Sequence, residues 1–422
     1  MKFVFTDSEK LCLYNNGKIE KYDSDYVVRY RESMLRAEKN REWKKNTDLM
    51  MSDDFYFEGA RNEEVSVSLH SVSLTTEENK LIYAFSVNET SGLYYKFTDD
   101  EKKTEAHFLT SNEVRFLSLN VYDTGDILGT VQTDSVRANL AVFSKNDGDY
   151  KSLTDGDSFD ENPSFDENGD LIFNSYGVGR DANNVFLTYT PSEILRLNLR
   201  SMEIETVISD ERFSYVKPVC DGAGNLYCIR KPGDDAQEGN IFLDILLIPV
   251  RLVQAFIGLI STFVMCFAGK PMISGGRTGA NDGSMAKNGK KDPKKIFINN
   301  NLINVEKELK KNKKSEDPGF IPRSWKLVKL TPQSAGNFKN CIETELASGV
   351  ADFCLLTKDG TNTLLYTNGK HIFAVEDRGK ESKRKKLLDT DFCLKVGALQ
   401  TKYSVFEQAE PSDTETGLFD KI

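Results

Sequence analysis

The residues of this chain that most readily perform acid–base or metal chemistry are few and far apart. The 422 residues include three histidines, His70, His107 and His371, each in a segment of alternating polar and apolar residues. This spacing does not match that of metal ligands, so we expect each histidine on the surface of a strand. The sequence has no P-loop, no dinucleotide-binding glycine pattern and no G-x-S-x-G nucleophile motif. We therefore predict no catalytic residue, no cofactor and no metal, and the sequence leans away from an enzyme.

One acidic cluster is dense enough to be considered as a calcium site. Its members are Asp157, Asp160, Glu161, Asp166, Glu167 and Asp170. Carboxylate oxygens are the ligands that Ca²⁺ prefers, but the regular D-x-D-x-D-G spacing of a calcium loop is absent. Acidic residues are also common in hairpin turns, which explains the cluster without a metal.

Cysteine usage and the N-terminal residues both favour a reducing compartment. The number of cysteines is odd and there is no C-x-x-C motif, which is typical of scattered reduced thiols in a core. The seven are Cys12, Cys220, Cys228, Cys266, Cys341, Cys354 and Cys393. The apolar alternation at the N-terminus is broken from Asp7 onward and lacks the apolar core of a signal peptide. We expect the chain to begin in a strand and to reside in the cytoplasm.

Composition predicts a folded, acidic protein. Apolar residues make up 39% and aromatic residues 10% of the chain, which is enough to form a core. The formal net charge of −10 argues against a protein that coats nucleic acid.

The elements that must position any site repeat along the chain. Each copy is an acidic or glycine-containing turn followed by an alternating apolar run, and then by a second alternation. The copies begin at Thr6, Thr75, Tyr122, Phe165, Cys220 and Thr357. Strands paired in hairpins at a spacing of about 45–55 residues are typical of propeller blades. We predict an all-β β-propeller, six-bladed with seven blades as the alternative. Unrelated hairpins in a β-sandwich remain the competing interpretation.

The fourth copy carries a more specific pattern, D-x-x-P-S-F-D-x-x-G followed by an apolar strand. The residues that form it are Asp160, Pro163, Ser164, Phe165, Asp166, Gly169 and Ile172. The pattern resembles the TolB-type, or PD40-like, repeat of bacterial β-propellers, and Pro218, Asp221 and Gly224 repeat it more weakly. The resemblance implies a binding platform or a propeller that precedes a peptidase domain. In this pattern we expect the proline to precede an inner strand and the Asp–Gly pair to form a hairpin turn.

The fifth copy is interrupted by an apolar segment, residues 241–269, which contains one aspartate and one arginine. Its polar residues fall on one narrow helical face, and Pro249 is expected to kink the helix. Three interpretations compete: a helix in the membrane surface or entering it partway, a helix buried inside a soluble protein or covered by a partner, and a single membrane span. We favour the first, because both ends of the insertion must return to one propeller. The predicted membrane-binding residues are Leu246, Leu247, Val250, Leu252, Val253, Phe256, Ile257, Leu259, Ile260, Phe263, Val264 and Phe267.

The segment after this helix is strongly basic. Residues 270–314 hold twelve lysines and arginines against four carboxylates. Basic clusters beside a membrane helix are attracted to anionic lipid, by roughly 1 kcal/mol per residue. The predicted lipid contacts are Lys270, Arg277, Lys287, Lys290, Lys291, Lys294 and Lys295. A solvated loop is the alternative interpretation of the same lysines.

The chain therefore divides into three predicted segments. Residues 1–232 form blades one to four and the start of blade five, and residues 325–422 complete blade five and form blade six and a tail. Residues 233–324 form the insertion, with the apolar helix at 241–269 and a basic flexible linker at 270–314.

The predicted function is a non-enzymatic platform that docks a protein partner or senses a signal at the inner face of a membrane. The predicted partners are an unidentified protein and an anionic membrane surface, with no nucleic acid and no small-molecule substrate. Two alternatives remain. One is a propeller hydrolase or lyase that acts on sugar or peptide material in its channel. The other is a soluble propeller whose apolar helix is buried against an obligate partner.

Overall fold

The computed structural model describes residues 1–45, 66–99, 104–145, 148–183, 185–233, 295–333, 338, 341–358, 361–377 and 383–401. The predicted apolar helix and every predicted lipid contact except Lys295 lie outside these ranges. Among the described residues, no helix combines the length and the apolarity that crossing a membrane requires.

The first two sheets have four antiparallel strands each. The first contains β1 (Lys2–Asp7), β2 (Lys10–Asn15) and β3 (Lys18–Tyr22), and its fourth strand comes from the far end of the chain. The second contains β4 (Val67–Leu74), β5 (Lys80–Val87), β6 (Thr90–Phe97) and β7 (Glu105–Ser111).

A nine-stranded sheet follows, made of two antiparallel runs. The first run is β8 (Arg115–Val121), β9 (Ile127–Gln132), β10 (Ala138–Phe143) and β11 (Tyr150–Ser152). The second is β12 (Ser158–Phe165), β13 (Leu171–Arg180), β14 (Phe186–Tyr189), β15 (Glu193–Leu197) and β16 (Ile204–Ile208). A single parallel pairing, Ala138 with Phe159, joins the runs.

The remaining strands form two four-stranded sheets and a separate hairpin. One sheet is β17 (Phe213–Cys220), β18 (Leu226–Pro232), β21 (Lys326–Thr331) and β22 (Ile342–Ser348). The hairpin, β19 (Lys295–Ile298) and β20 (Asn301–Asn304), lies between its second and third strands in sequence. The other sheet is β23 (Asp352–Lys358), β24 (Thr361–Thr367), β25 (His371–Glu376) and β26 (Arg384–Asp389). The last strand, β27 (Val396–Gly397), pairs with β1.

The sheets are arranged around an axis. β4 contacts β1 and β8, β8 contacts β12, β12 contacts β17, β17 contacts β23, and β23 contacts β27, which returns to β1 and β4. Apolar clusters fill the space between neighbouring sheets; for example, Val4 and Leu11 pack with Val72 and Tyr83. A closed ring of inner strands with sheets radiating from it is a β-propeller. The predicted all-β propeller fold is confirmed.

The acidic turns form as predicted. Asp166 Oδ1 accepts the backbone N–H groups of Asn168 (2.8 Å) and Asp170 (3.0 Å), and Gly169 adopts a φ of +80°. The Asp221 turn repeats this arrangement, and Gly224 has a φ of +75°. An aspartate that caps its own turn and a glycine with positive φ explain why this residue pair recurs.

The expected position of the prolines was wrong. Pro163 and Pro218 lie inside β12 and β17, at irregularities where the pairing register shifts. Proline has no N–H to contribute to a strand ladder, so it is tolerated at a bulge.

The charged stretch between the first two sheets is a helix, α1 (Asp25–Lys45). Its first turns pack against the propeller. Val27 is buried, and Tyr26 and Tyr30 pack against the cluster between the first two sheets.

Candidate functional site

The last part of the insertion, residues 295–314, is folded, whereas the sequence predicted a flexible linker over residues 270–314. Residues 295–304 form the β19–β20 hairpin, and α2 (Val305–Asn312) follows directly. Asn299 and Asn300 both have positive φ, as a tight two-residue turn requires. The side chain of Asn304 accepts the N–H of Lys307 (3.0 Å) and caps α2. These local signals outweigh the high lysine content of residues 295–314, here named the hairpin–helix segment.

The hairpin buries one face and exposes the other. Ile298 and Ile303 are buried in the largest core cluster. On the opposite face, Phe297 and Leu302 are paired across the strands and are 66% and 64% exposed. Two large apolar side chains exposed side by side are unusual for a surface that meets only water.

The hairpin is held firmly to the propeller. Lys231 Nζ donates to the Asn299 carbonyl and to Asn301 Oδ1 (2.6 Å), and Tyr176 Oη donates to the Asn299 carbonyl (3.4 Å). Asn299 Nδ2 donates to the carbonyl of Ala351 (3.3 Å). The Phe297–Leu302 pair is therefore presented on a fixed support.

The helix of this segment adds positive charge. Its buried residues are Val305, Glu308 and Asn312, and Lys311 pairs with Glu308 at 2.7 Å. The exposed lysines at or just after the helix are Lys307, Lys310, Lys311, Lys313 and Lys314. Lys295, the one predicted lipid contact within the described residues, is exposed at the start of β19.

A second apolar hairpin projects from the same face of the propeller. β13 continues beyond its sheet to pair with β14, and nearby Val185 and Leu187 are 57% and 63% exposed. Both hairpins follow the second strand of their sheet, so they leave the propeller on the same side. Tyr189 and Ile296, one from each hairpin, pack against the same core cluster.

Side-chain hydrogen bonds link neighbouring inner strands around the axis; we name this set the channel belt. Ser73 Oγ donates to the Ala398 carbonyl (3.2 Å), Ser71 Oγ accepts the N–H of Leu119 (3.1 Å), and Asn120 Nδ2 donates to the Pro163 carbonyl (2.8 Å). These bonds tie β4 to the residues after β27, β4 to β8, and β8 to β12.

Asn174 and Asp352 complete the channel belt. Fully buried Asn174 accepts from Asn162 Nδ2 and from the backbone N–H of Lys217, both at 3.0 Å. Lys217 Nζ then reaches Asp352 Oδ1 (2.5 Å), whose other oxygen accepts the N–H of Val396 (2.9 Å). Asn162 and Lys217 occupy the two proline bulges, each with a φ of +54°. The bulges aim these side chains toward the axis.

Three more titratable side chains lie near one end of the channel, which we name the channel mouth: His70, Glu161 and Lys395. His70 and Glu161 lie in the first halves of β4 and β12. The start of an inner strand pairs with the end of the second strand of its sheet, as Phe213 does with Pro232. The hairpin–helix segment follows the second strand β18 in sequence, so it lies at the same end of the propeller as the channel mouth.

Burial controls protonation at the channel mouth. Burial, assisted by the nearby positive charge of Lys395, lowers the pKa of His70 to about 4, and its Nε2 lies 2.8 Å from Ser86 Oγ. Burial raises the pKa of Glu161 against the opposing effect of Lys395, and Asn174 Nδ2 donates to its carboxylate at 3.4 Å. Within the described part of the chain, neither Glu161 nor Lys395 forms an ion pair. With a pKa near 4, the imidazole of His70 is neutral at neutral pH.

The remaining histidines and acidic residues have local partners. His107 bonds to Thr110 (3.1 Å) and His371 to Asp389 (2.7 Å), both near the surface. Of the acidic cluster, Asp157 pairs with Arg180, Asp160 bonds to Ser175, Asp166 pairs with Arg196 and Asp170 bonds to Asn198. Among the described residues, no group of three or more candidate ligands is arranged to hold a metal.

Comparison with known proteins finds similar solved structures. TolB from Acinetobacter baumannii is similar at 8% identity and a TM-score of 0.40, over 94% of this chain and 65% of TolB. TolB is among the structural neighbours. The tricorn protease is similar at 12% identity and a TM-score of 0.38, over 92% of this chain and 30% of the protease. A puromycin-hydrolyzing peptidase from Mycobacterium tuberculosis is similar at 10% identity and a TM-score of 0.39, over 92% of this chain and 52% of the peptidase.

The chain therefore spans less than two thirds of the length of each of these three proteins. No family model and no curated protein matches it.

Sequence reasoning missed Lys217, Asp352 and Lys395 as channel residues. One signal was available for the first: aligning the two proline repeats places Lys217 where Asn162 stands in the fourth copy.

Proposed function

We propose that this chain is a non-enzymatic, six-bladed propeller that docks at an anionic membrane surface on the cytoplasmic side and presents a platform to a protein partner. The observation that carries the proposal is the hairpin–helix segment, where an exposed Phe297–Leu302 pair is followed by exposed lysines.

The blade number is supported by the sheets and by the ring of inner strands. The nine-stranded sheet counts as two blades, since a single parallel pairing joins its two runs and each begins with an inner strand of the ring. With the four separate four-stranded sheets this makes six.

The composition of the hairpin–helix segment suits a lipid interface better than water. Moving one large apolar side chain out of water is worth about 1.5–3 kcal/mol when burial is complete. Each lysine near an anionic surface adds roughly 1 kcal/mol. Phe297 and Leu302 with the neighbouring lysines thus combine the two contributions that peripheral membrane binding needs.

The earlier residues of the insertion are expected to strengthen the same contact. The apolar residues 241–269 and the basic residues between Lys270 and Lys294 precede the hairpin directly in sequence, and Lys295 begins it. The proposal therefore retains them as membrane-binding and lipid-contacting residues.

The test is flotation of the full chain with phosphatidylcholine vesicles, with and without phosphatidylserine. We expect binding only to the anionic vesicles, weakened at least about tenfold in a Phe297→Ser/Leu302→Ser variant. Met202→Ser/Ile204→Ser is the control, since it removes two exposed apolar residues at the β15–β16 turn, which follows the third strand of its sheet and so lies on the opposite side of the propeller. If the full chain does not float with anionic vesicles, or if both double variants lose binding equally, the proposal is wrong.

An enzyme acting in the channel is the competing function, favoured by the presence of His70 and Glu161 at one mouth. Because both side chains are bonded within the propeller, to Ser86 and Asn174, we place the docking function first.

A further inference from the structure

We infer that an open pocket beside the end of α2 binds the phosphomonoester of a lipid headgroup, so that the chain prefers membranes that carry such a lipid. This inference rests on the proposed function, since it names the kind of anionic lipid that the hairpin–helix segment meets. We name the site the α2 pocket. The lining residues that matter here are Asn312, Ser315, Asp317, Arg323, Asn368 and Arg384.

The α2 pocket is a cavity between two parts of the chain. One wall is the loop that joins α2 to β21, and the other is the sheet β23–β26, to which Asn368 and Arg384 belong. Its empty space is about 340 Å³, which includes the open solvent at its entrance. A cavity this open accommodates a phosphate group and leaves the rest of a headgroup outside.

Contacts across the pocket hold its two walls together. Asp317 Oδ2 accepts from Arg384 Nη2 at 2.9 Å, and the Asp317 carbonyl accepts from Asn368 Nδ2 at 3.2 Å. Within the loop, Asn312 Nδ2 donates to the carbonyl of Gly319 at 2.9 Å. The polar groups are thus in place before a ligand arrives, which lowers the entropic cost of binding.

Arg323 is the group to which a phosphate would bind. Its Nη2 donates to the neutral Ser315 Oγ at 2.9 Å, and no carboxylate of the described residues lies within 4.0 Å of its guanidinium. The Arg323 side chain is exposed and Ser315 is half-buried. A guanidinium offers two parallel N–H groups to a phosphate, and the serine hydroxyl offers a further donor. A phosphomonoester has three free oxygens to accept these bonds.

The other charges that meet at the pocket are paired. Asp317 lies 2.9 Å from Arg384 and 3.3 Å from Lys386. Lys386 also lies 3.1 Å from Asp389. Glu316 is 3.8 Å from Arg384, and its side chain is 89% exposed. Together with the guanidinium described above, these groups carry three positive and three negative charges, which cancel.

Two neighbouring lysines do not change this balance. Lys311 is neutralised by Glu308, at 2.7 Å. Lys385 lies between Arg384 and Lys386 on β26, so its side chain points to the opposite face of the sheet.

The excess positive charge comes from the residues just after α2. Lys313 and Lys314 directly precede Ser315, are exposed, and have no acidic partner among the described residues. Since the other charges cancel, these two lysines leave a net charge of +2 beside the pocket. A phosphomonoester carries about −1.5 to −2 at neutral pH and so matches this charge.

The location favours a lipid over a free phosphate compound. α2 has eight residues and is about 12 Å long, so the pocket lies one short helix away from the exposed Phe297–Leu302 pair. The exposed lysines of α2 lie between the two. In phosphatidylserine the phosphate is a diester inside the headgroup, whereas in a phosphorylated inositol lipid a monoester stands at the outer end. Only the monoester is presented to an open pocket.

The experiment is flotation of the full chain with phosphatidylcholine vesicles that carry either phosphatidylserine or phosphatidylinositol 4-phosphate, matched in total negative charge. We expect binding at least about tenfold tighter to the second, because paired bonds to an arginine add to the general attraction of the lysines. Arg323→Met should abolish this preference. Arg323→Lys keeps the charge but loses the paired N–H groups, so it should also lose most of the preference.

Arg200→Met is the matched control. Arg200 is an exposed arginine at the β15–β16 turn, on the opposite side of the propeller, and its removal should keep the preference. Circular dichroism confirms that each variant is folded. The inference is overturned if the two charge-matched vesicles bind equally, if Arg323→Met keeps the preference, or if Arg200→Met loses it.

Two outcomes separate this inference from its neighbours. Equal binding to both vesicles would leave the proposed function standing, whereas binding to neither would remove both. Titration calorimetry with soluble glycerophosphate tests for a free ligand, and micromolar binding of this probe would overturn the assignment to a membrane lipid.

Discussion

Replacing Asp352 by alanine should destabilise the propeller more than removing one partner of an exposed ion pair does. Asp352 is 3% exposed and joins three inner strands, since it binds Lys217 Nζ on β17 and the N–H of Val396 on β27. Its removal leaves a largely buried ammonium and a buried N–H without their partner. Breaking a buried pair costs about 3–5 kcal/mol, and an unsatisfied N–H about 1–3 kcal/mol. Because Lys217 keeps some contact with solvent in the channel, we expect a loss of about 3–5 kcal/mol in total.

The assay is urea unfolding followed by the fluorescence of buried Trp325, with two comparison variants. Glu345→Ala removes the partner of Lys326, an exposed pair with the same 2.5 Å separation, and should cost less than about 1 kcal/mol. Lys217→Met/Asp352→Leu removes both buried charges and should cost less than Asp352→Ala alone. The reasoning is refuted if Asp352→Ala is no worse than Glu345→Ala, or if the double variant costs as much as Asp352→Ala.

Three further predictions concern the channel and the closure of the ring. The pKa of His70 is near 4 in the folded protein and 6.5 in the unfolded chain, so the folded state is most stable above pH 6.5 and loses stability as the pH falls toward 4. Urea unfolding at a series of pH values should show a loss of up to about 3 kcal/mol, and His70→Gln should make stability less dependent on pH. Glu161→Gln should raise the melting temperature at neutral pH, because burial disfavours the carboxylate; a lower melting temperature would contradict this. Gly397→Ala should cost about 1–3 kcal/mol in urea unfolding, since a Cβ there would lie 1.8 Å from the Val72 carbonyl oxygen. Gly156→Ala, where the nearest atom is a serine hydroxyl at 3.1 Å, should be nearly neutral.

The parts of the fold that could be predicted from the sequence are those with local causes. The Asp221–Gly224 turn is specified by a side chain that caps its own backbone, and period-2 alternation identifies strands such as β13 and β24. The β19–β20 hairpin also has local signals, since the apolar run Ile296–Ile298 leads directly into the asparagine turn Asn299–Asn300. There the density of lysines was given more weight than these signals, and the prediction of a flexible linker was wrong for residues 295–314.

The channel could not be predicted, because its contacts join distant parts of the chain. Lys217 and Asp352 are 135 residues apart, and their pairing depends on where the ring brings β17 next to β23. The role of Lys395 depends on β27 entering the first sheet, which a two-residue strand does not reveal. The bulges that turn Asn162 and Lys217 toward the axis are likewise invisible without a knowledge of strand register.

The pairing of β27 with β1 also determines the order in which the molecule can fold. The sheets between them are built from neighbouring strands and can form as the chain emerges, whereas Val4 must wait for Gly397. Joining segments so far apart is entropically costly and slow, so we expect ring closure to be the last step of folding. Until then the inner edge of β1 is an unpaired strand edge, open to pairing with another chain. A newly synthesised molecule is thus most prone to aggregate in the interval before residues 396–397 are available.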